Sequence, residues 1–220
     1  MRGDDLAALS WEGIAAEALE ATGNDEPPVD AFDLAACVGL HVVEGPARSA
    51  RLEGNVIVLN PGARLVRRHG LVAHETAHHL LDRAGEASTE DGAHYVSQAL
   101  LLPRKAFERD LRSSWNPAVL RAKHVNVSAE RIVRRIVALR DAVATVIDNG
   151  RVKTRVASPW LPEASLRRLS RWERELADEA LRTGEAVQGD ELVWACPFVD
   201  GPWERVVIVA ELEQLGLRLR

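Results

Sequence analysis

The sequence is poor in cysteine, in aromatic residues and in long hydrophobic runs. Its 220 residues include only two cysteines, Cys37 and Cys196, which lie far apart. Two isolated thiols cannot build a disulfide framework or a thiolate zinc site, so we expect a reducing compartment. No run approaches the roughly 18 apolar residues of a membrane-spanning helix, and nothing near Met1 resembles a signal peptide. These absences predict a soluble, cytoplasmic protein with no membrane partner.

An excess of positive charge is also missing. The chain has 28 Lys and Arg against 33 Asp and Glu, for a net charge of −5. Such a balance is unsuited to binding a phosphate backbone through overall electrostatics. The locally basic stretch 121–140 also carries apolar residues at helical spacing, which is typical of a packing face. We therefore expect no direct nucleic-acid binding.

What the sequence does contain is the composition of a globular protein, with 46% hydrophobic residues. Periodicity and turn residues predict helices and short strands up to about residue 150. The predicted helices span 6–22, 29–38, 64–83, 90–102 and 129–147. The predicted strands span 40–43, 49–52 and 56–59, with a tight turn at Gly54 and Asn55 between the last two.

Beyond residue 150 the pattern changes. Predicted strands at 151–157, 191–196 and 205–212 surround a charged helix at 163–181. The strand 206–209 is too apolar to stand alone, and we expect it to pair with 192–194. The sequence thus predicts an α+β fold with a first domain at 1–150 and a small C-terminal α/β extension at 151–220.

Histidines cluster in one predicted helix, in the run His74-Glu75-Thr76-Ala77-His78. Residues four apart on a helix are displaced by about 40° and about 6 Å, so His74 and His78 can converge on one tetrahedral metal ion. Glu75 lies on the adjoining face, where its carboxylate could take a proton from a water at the metal. This pattern predicts metal-assisted hydrolysis with Glu75 as the general base.

A catalytic zinc ion takes a third protein ligand and keeps one position open. The extended motif with Gly at 81 and His at 84 is excluded, because this chain has Leu81 and Ala84 there. The spacing leaves four candidates, which lie in the following turn and helix: Glu86, Glu90, Asp91 and His94. Tyr95, the only tyrosine, is either an oxyanion donor or a packing residue.

Several motifs together resemble the ImmA/IrrE family of zinc metallopeptidases. They are the run 71–81, Glu90 followed by Ala93 and His94, and Leu100-Leu101-Leu102-Pro103, with weaker likenesses elsewhere between about residues 10 and 140. The resemblance implies a zincin-like domain, His74, His78 and Glu90 as ligands of one zinc ion, and Glu75 as the catalytic base. His94 departs from the family, which usually has Asn at that position.

Members of this family cut transcriptional repressors. The resemblance therefore implies a zinc endopeptidase whose substrate is a regulatory protein, and the predicted partner is a DNA-binding repressor. The strand 56–59, if it lies at the sheet edge, could hold an extended substrate by main-chain pairing. The extension 151–220 could recognise the substrate or sense a signal. The alternative is a regulatory module with the same fold that binds its partner without cleaving it.

Overall fold

A computed structural model describes residues 3–158, 169–189, 193–200 and 203–211. The chain divides into two compact units. The first comprises residues 1–107 and 123–128, and the second comprises residues 108–122 and 129–220.

The first unit combines helices with a small sheet. Its helices are α1 (Gly3–Thr22), α2 (Ala31–Cys37), α3 (Leu65–Arg83) and α4 (Glu90–Leu101), and its strands are β1 (His41–Glu44), β2 (Ala50–Glu53) and β3 (Val56–Leu59). These elements match the predicted ones to within a few residues at each end. A further helix, α5 (Arg104–Ser113), is shared between the two units and was not predicted.

The hydrophobic core of the first unit lies among its helices. Ala77 and Leu81 of α3 pack with Ala93 and Val96 of α4, and all four residues are buried. Residues of α1 and α2 join the same cluster. This packing fixes one face of α3 against α4 and so determines which side chains of the two helices meet.

In the sheet of the first unit, β3 is the central strand. It pairs in parallel with β1 and in antiparallel with β2. The expectation that the strand 56–59 could lie at the sheet edge is therefore wrong. Ile57, Val58 and Leu59 are all buried, as is typical of a strand covered on both sides. The edges of this sheet are β1 and β2.

At the open edge of β2, the backbone groups of alternate residues are not used in the pairing with β3. Asn60 donates its backbone N–H to the carbonyl of Ser49, next to the registered pair Ala50 and Leu59. Hydrogen-bonded and non-hydrogen-bonded pairs alternate along an antiparallel ladder. The backbone groups of Ala50 and Leu52 therefore point away from β3.

The second unit is built on a larger sheet. Its helices are α6 (Pro117–Lys123), α7 (Ala129–Leu139) and α8 (Arg171–Thr183), and its strands are β4 (Ala142–Asp148), β5 (Arg151–Ala157), β6 (Val187–Gln188), β7 (Val193–Asp200) and β8 (Trp203–Glu211). The five strands are antiparallel in the order β5-β4-β8-β7-β6. Consecutive strand residues face opposite sides, so Ala195 packs in the cluster beneath α8 while the Cys196 thiol bonds the Asn116 side chain.

One predicted helix is too long. The helix expected over 129–147 ends at Leu139, and its last part is strand β4. Val143, Thr145, Val146 and Ile147 are β-branched, and a buried strand accommodates such side chains better than a helix does. Asn149 and Gly150 then form a tight turn with positive φ, which joins β4 to β5 as a hairpin.

The pairing expected at the C-terminal end is confirmed where it is described. Trp194 pairs with Val209, and Val193 pairs with Ala210. Leu192 and residues 163–168 lie outside the described residues. Of the charged helix predicted over 163–181, the described part begins only at Arg171, after the Ser170 cap, and it ends at Thr183.

The division between the two units differs from the boundary expected near residue 150. Strand β4 pairs with β8 as well as with β5, so α7 and β4 belong to the second unit. Among the helices that the structure describes, none is long and apolar enough to cross a membrane.

Candidate metal centre

His74 and His78 lie one turn apart on α3, as their spacing predicts. Their rings meet edge to face with centroids 4.8 Å apart, and both side chains are partly buried. Since the opposite face of α3 is held in the core, both rings are directed to the same side of the helix.

Glu90 approaches the same point from α4. Thr89 caps this helix by accepting the N–H of Gly92, so Glu90 stands at its first position. The Glu90 carboxylate lies 3.4 Å from Nε2 of His74 and 3.5 Å from Nε2 of His78. One donor atom from each of the three residues lies within 4.8 Å of the other two.

This donor set fits a zinc ion. Two imidazole nitrogens and a carboxylate oxygen are typical zinc ligands, with bond lengths of about 2.0 to 2.2 Å. Ligands at about 2.0 to 2.1 Å in a tetrahedron are separated by roughly 3.3 to 3.4 Å. The distance from His74 Nε2 to Glu90 Oε2, 3.4 Å, is close to that separation, and the other carboxylate oxygen, Oε1, lies 3.5 Å from His78 Nε2. The Glu90 side chain is 74% exposed, so the site also has an open side towards solvent.

Ser88 holds one of the two rings. Its Oγ lies 2.8 Å from Nδ1 of His78 and also donates to the backbone carbonyl of the same residue at 3.4 Å. The Nδ1–H tautomer of His78 fits both contacts, because the ring then donates to Oγ while the hydroxyl donates to the carbonyl. This contact leaves the lone pair of His78 on Nε2, directed towards Glu90. Two electron-pair donors that face each other in this way favour a cation between them.

Glu75 lies beside the three ligand candidates and touches the small sheet. Its carboxylate accepts a backbone hydrogen bond from Leu52 on the open edge of β2. Burial raises the pKa of Glu75, and the nearby Glu90 raises it further, whereas His78 and the Leu52 amide lower it. A carboxylate with a raised pKa accepts a proton more readily, as a general base must.

The other candidate ligands do not join the cluster. His94 lies at its rim, 65% exposed, with Nε2 3.9 Å from Glu90 and its ring 4.7 Å from that of His74. Glu86 accepts a hydrogen bond from Ser10, and Asp91 is exposed. Within the described part of the chain, His74, His78 and Glu90 form the one group of three or more such residues placed to share an ion.

Tyr95 belongs to the packing of α1 and α4. It donates to the Glu12 carboxylate and its ring packs against Trp11 at 5.8 Å. Two further groups of the site escaped sequence reasoning, the Ser88 hydroxyl and the Leu52 amide. A main-chain amide has no sequence signature, and Ser88 is an isolated serine in a polar turn.

The sequence matches a known protein family over part of its length. Residues 38–137 match the model of the Peptidase_M78 family, described as an IrrE N-terminal-like domain. This segment includes β1 to β3, the two histidines, Glu75 and Glu90. Among curated proteins, none matches the sequence.

The fold also resembles solved structures. One of them, a Mycobacterium tuberculosis transcriptional regulator, aligns with a TM-score of 0.64 over 94% of this chain and 77% of its own. The two sequences are 14% identical over that alignment, so the likeness concerns the fold alone. It is a mixed fold of helices and small sheets.

Proposed function

Since the chain belongs to the ImmA/IrrE family through its Peptidase_M78 domain at 38–137, as its motifs predicted, we propose that it is a zinc-dependent endopeptidase. The observation that carries this proposal is the convergence of His74, His78 and Glu90 beside Glu75. In this proposal the first unit is a zincin-like catalytic domain, and one zinc ion is bound per chain.

Each residue of the site has a separate task in hydrolysis. His74, His78 and Glu90 would hold the zinc ion, which would supply Lewis acidity to the attacking water and to the scissile carbonyl. Glu75 takes the proton of the attacking water and returns it to the nitrogen of the leaving amine. Leu52 orients the Glu75 carboxylate for both transfers, and Ser88 orients His78.

The edge strand beside Glu75 is β2, and it is suited to bind an extended peptide. The outward backbone groups of Ala50 and the Leu52 carbonyl can pair with a substrate strand, which would then pass alongside Glu75, while the Leu52 N–H stays bonded to Glu75. An extended substrate segment is therefore expected, from a loop or a chain end and not from a folded helix.

The proposed substrate is a regulatory protein, specifically a DNA-binding transcriptional repressor. Family membership supports this choice, and a transcriptional regulator with a similar fold is compatible with it. The region 151–220 would recognise the substrate or sense a signal, since the candidate site is complete within the first unit.

Incubation of the zinc-loaded protein with candidate repressors tests this function. We expect discrete cleavage that a chelator abolishes, and Glu75→Gln should lower kcat/KM by about 100-fold to 10,000-fold because a general base contributes that much. The variant should keep its zinc, since Glu75 is not among the ligand candidates. Glu86→Gln, in the turn before α4, is the matched control.

A different outcome would favour the alternative regulatory function. Repressor bound but uncut, with the same affinity for wild type and Glu75→Gln, would show a protein that acts by contact. Cleavage that survives metal removal would overturn the zinc mechanism.

A further inference from the structure

A cleft opens in the first unit between the start of β2 and the first turns of α3. It has a volume of about 290 Å³, and it is lined by Arg48, Ser49, Asn60, Gly62, Ala63, Arg67 and Leu71. Asn60 braces its wall by donating to the Ala47 carbonyl at 2.8 Å and accepting the N–H of Gly62 at 2.8 Å. The wall of the cleft is thus held by hydrogen bonds within the loop before α3 and between that loop and the one that joins β1 to β2.

Two arginines of this cleft make no ion pair with any residue that the structure describes. Among the described residues, neither the Arg48 nor the Arg67 side chain makes an ion pair or a hydrogen bond, and both are exposed. Neighbouring arginines differ, because Arg51 pairs with Glu53 and Arg68 pairs with Glu44. None of the residues lining the cleft is acidic. The cleft therefore presents positive charge to whatever enters it.

The cleft and the candidate metal centre are lined by the same two segments, β2 with the residue before it and α3. Leu71 and Arg67 precede Glu75 by four and eight residues on α3, which displaces them by about 40° and 80° around the helix and places their backbones roughly 6 and 12 Å along it. The edge strand runs the same way, since Leu52 bonds Glu75 and Ser49 lines the cleft. An extended peptide advances about 3.3 Å per residue, so roughly three or four residues span this distance.

We propose that Arg48 and Arg67 form a specificity pocket that binds a carboxylate of the substrate, three or four residues from the cleaved bond. This inference rests on the proposed endopeptidase function and deepens it. Guanidinium groups bind carboxylates through paired, charge-assisted hydrogen bonds, whereas a lysine or arginine of the substrate would be repelled. The substrate class is thus a segment with an acidic residue, or a chain terminus, at this distance.

Cleavage of a peptide library derived from a whole proteome tests the pocket. In the products of the wild type we expect Asp and Glu to be enriched about tenfold over Asn and Gln three or four residues from the cut. Replacement of both arginines by alanine should remove this enrichment, and the pair Arg48→Glu and Arg67→Glu should replace it with a preference for Lys and Arg. A second library with amidated C-termini separates an acidic side chain from a terminal carboxylate as the source.

A same-helix arginine provides the matched control. Arg83 lies in the last turn of α3, about 24 Å along the helix from Arg67, and Arg83→Glu should leave the preference unchanged. Products without acidic enrichment, or an enrichment that survives the double alanine variant, would overturn the pocket.

A binding experiment distinguishes failure of the specificity pocket from failure of the proposed peptidase function. The same library is passed over immobilised, zinc-loaded Glu75→Gln protein, which reads the pocket without hydrolysis. Retention of acidic peptides that the double alanine variant releases supports the pocket even where the wild type cleaves nothing. Equal retention by both proteins contradicts it even where the wild type is an active peptidase.

Discussion

The two units each gather ionisable side chains, but they arrange them in opposite ways. In the first unit, His74, His78 and Glu90 converge on one point, and the Glu90 side chain is 74% exposed. In the second unit, Arg155 and Glu173 form an ion pair at 2.6 Å whose side chains are 6% and 1% exposed. The cluster of the first unit is the open cluster, and it consists of electron-pair donors with a side open to solvent. The cluster of the second unit is the closed cluster, and it consists of a buried pair of opposite charges.

In the closed cluster both carboxylate oxygens of Glu173 accept hydrogen bonds. Both of its carboxylate oxygens accept from Arg155, and one also accepts the backbone N–H of Ser170. The Ser170 hydroxyl in turn accepts the N–H of Glu173, which completes a capping box at the start of α8. The comparison indicates two roles for clusters of ionisable side chains. A cluster of electron-pair donors without a cationic partner is suited to bind a ligand, whereas a pair of opposite charges stabilises the fold.

The largest effect that this comparison predicts is on the stability of the second unit. Glu173→Ala would leave the Arg155 charge buried without its partner, so the free energy of unfolding should fall by about 3 to 5 kcal/mol. Chemical denaturation followed by circular dichroism measures this change. Zinc affinity at the candidate centre should not change in the folded variant.

Glu175 provides the control for this prediction. It pairs with Arg171 on the exposed face of the same helix, with side chains 59% and 93% exposed. Its replacement by alanine should cost about 0.5 kcal/mol or less, because exposed pairs are screened by water. Equal losses at Glu173 and Glu175 would show that the buried pair is no more important than the exposed one.

For the open cluster of the first unit, the prediction concerns the affinity for zinc when Ser88 is replaced. Ser88→Ala would free the His78 ring to rotate and to change tautomer, so zinc affinity should fall by about tenfold to 100-fold. Competition with a chromophoric chelator on metal-stripped protein measures this directly. Ser88→Thr keeps the hydroxyl and should restore most of the affinity.

Ser113 is the matched control, since its hydroxyl also bonds a backbone carbonyl but touches no ligand candidate. Ser113→Ala should leave zinc affinity as it is in the wild type. If Ser88→Ala binds zinc as tightly as the wild type does, the Ser88 hydroxyl does not contribute to the metal affinity of the open cluster.

The parts of the fold that depend on local sequence were the ones that could be predicted. The spacing of His74 and His78 predicts their shared helical face, because helix periodicity is a local property. Spacing alone left four candidates for the third ligand, and Glu90 was preferred only through the family resemblance. Its approach to the two histidines depends on how α4 packs on α3, which the periodicity of either helix does not specify.

Strand neighbours were predicted only in part: the pairing of β7 with β8 was expected and is present, but the central place of β3 in its sheet was not expected. The apolar run 56–59 is equally compatible with an edge and with a central strand, and the parallel partner of β3 comes from a segment 15 residues earlier in the register. In the second unit, residues 142–147 continued the apolar pattern of α7, although their β-branched side chains and the Asn149-Gly150 pair did indicate a hairpin. The local sequence therefore indicated a hairpin, but the length of the apolar segment favoured a single long helix.

The first unit also contains a buried histidine, whose environment is intermediate in character between those of the open and the closed cluster. His69 is 3% exposed, and its Nδ1 accepts the backbone N–H of Ala31 at 3.3 Å at the start of α2. Burial lowers the pKa of His69, with a smaller contribution from Arg68, while Asp30 and Asp33 raise it. The neutral ring is therefore the form that the folded chain stabilises.

The sign of the resulting pH dependence follows from this lowered pKa. Below the unfolded value of about 6.5, the unfolded chain binds a proton that the folded chain resists, so stability is present above that value and is lost as the pH falls. We expect the free energy of unfolding to fall between about pH 7.5 and pH 5.5 on account of His69. Thermal and chemical unfolding of His69→Gln should show a smaller decline over that range. His41→Gln on β1 is the matched control, because it removes an exposed histidine and leaves the Ala31 contact in place. If the free energy of unfolding of His69→Gln falls with pH as steeply as that of the wild type, the charge state of this buried ring does not affect stability. It would then differ from the closed cluster of the second unit.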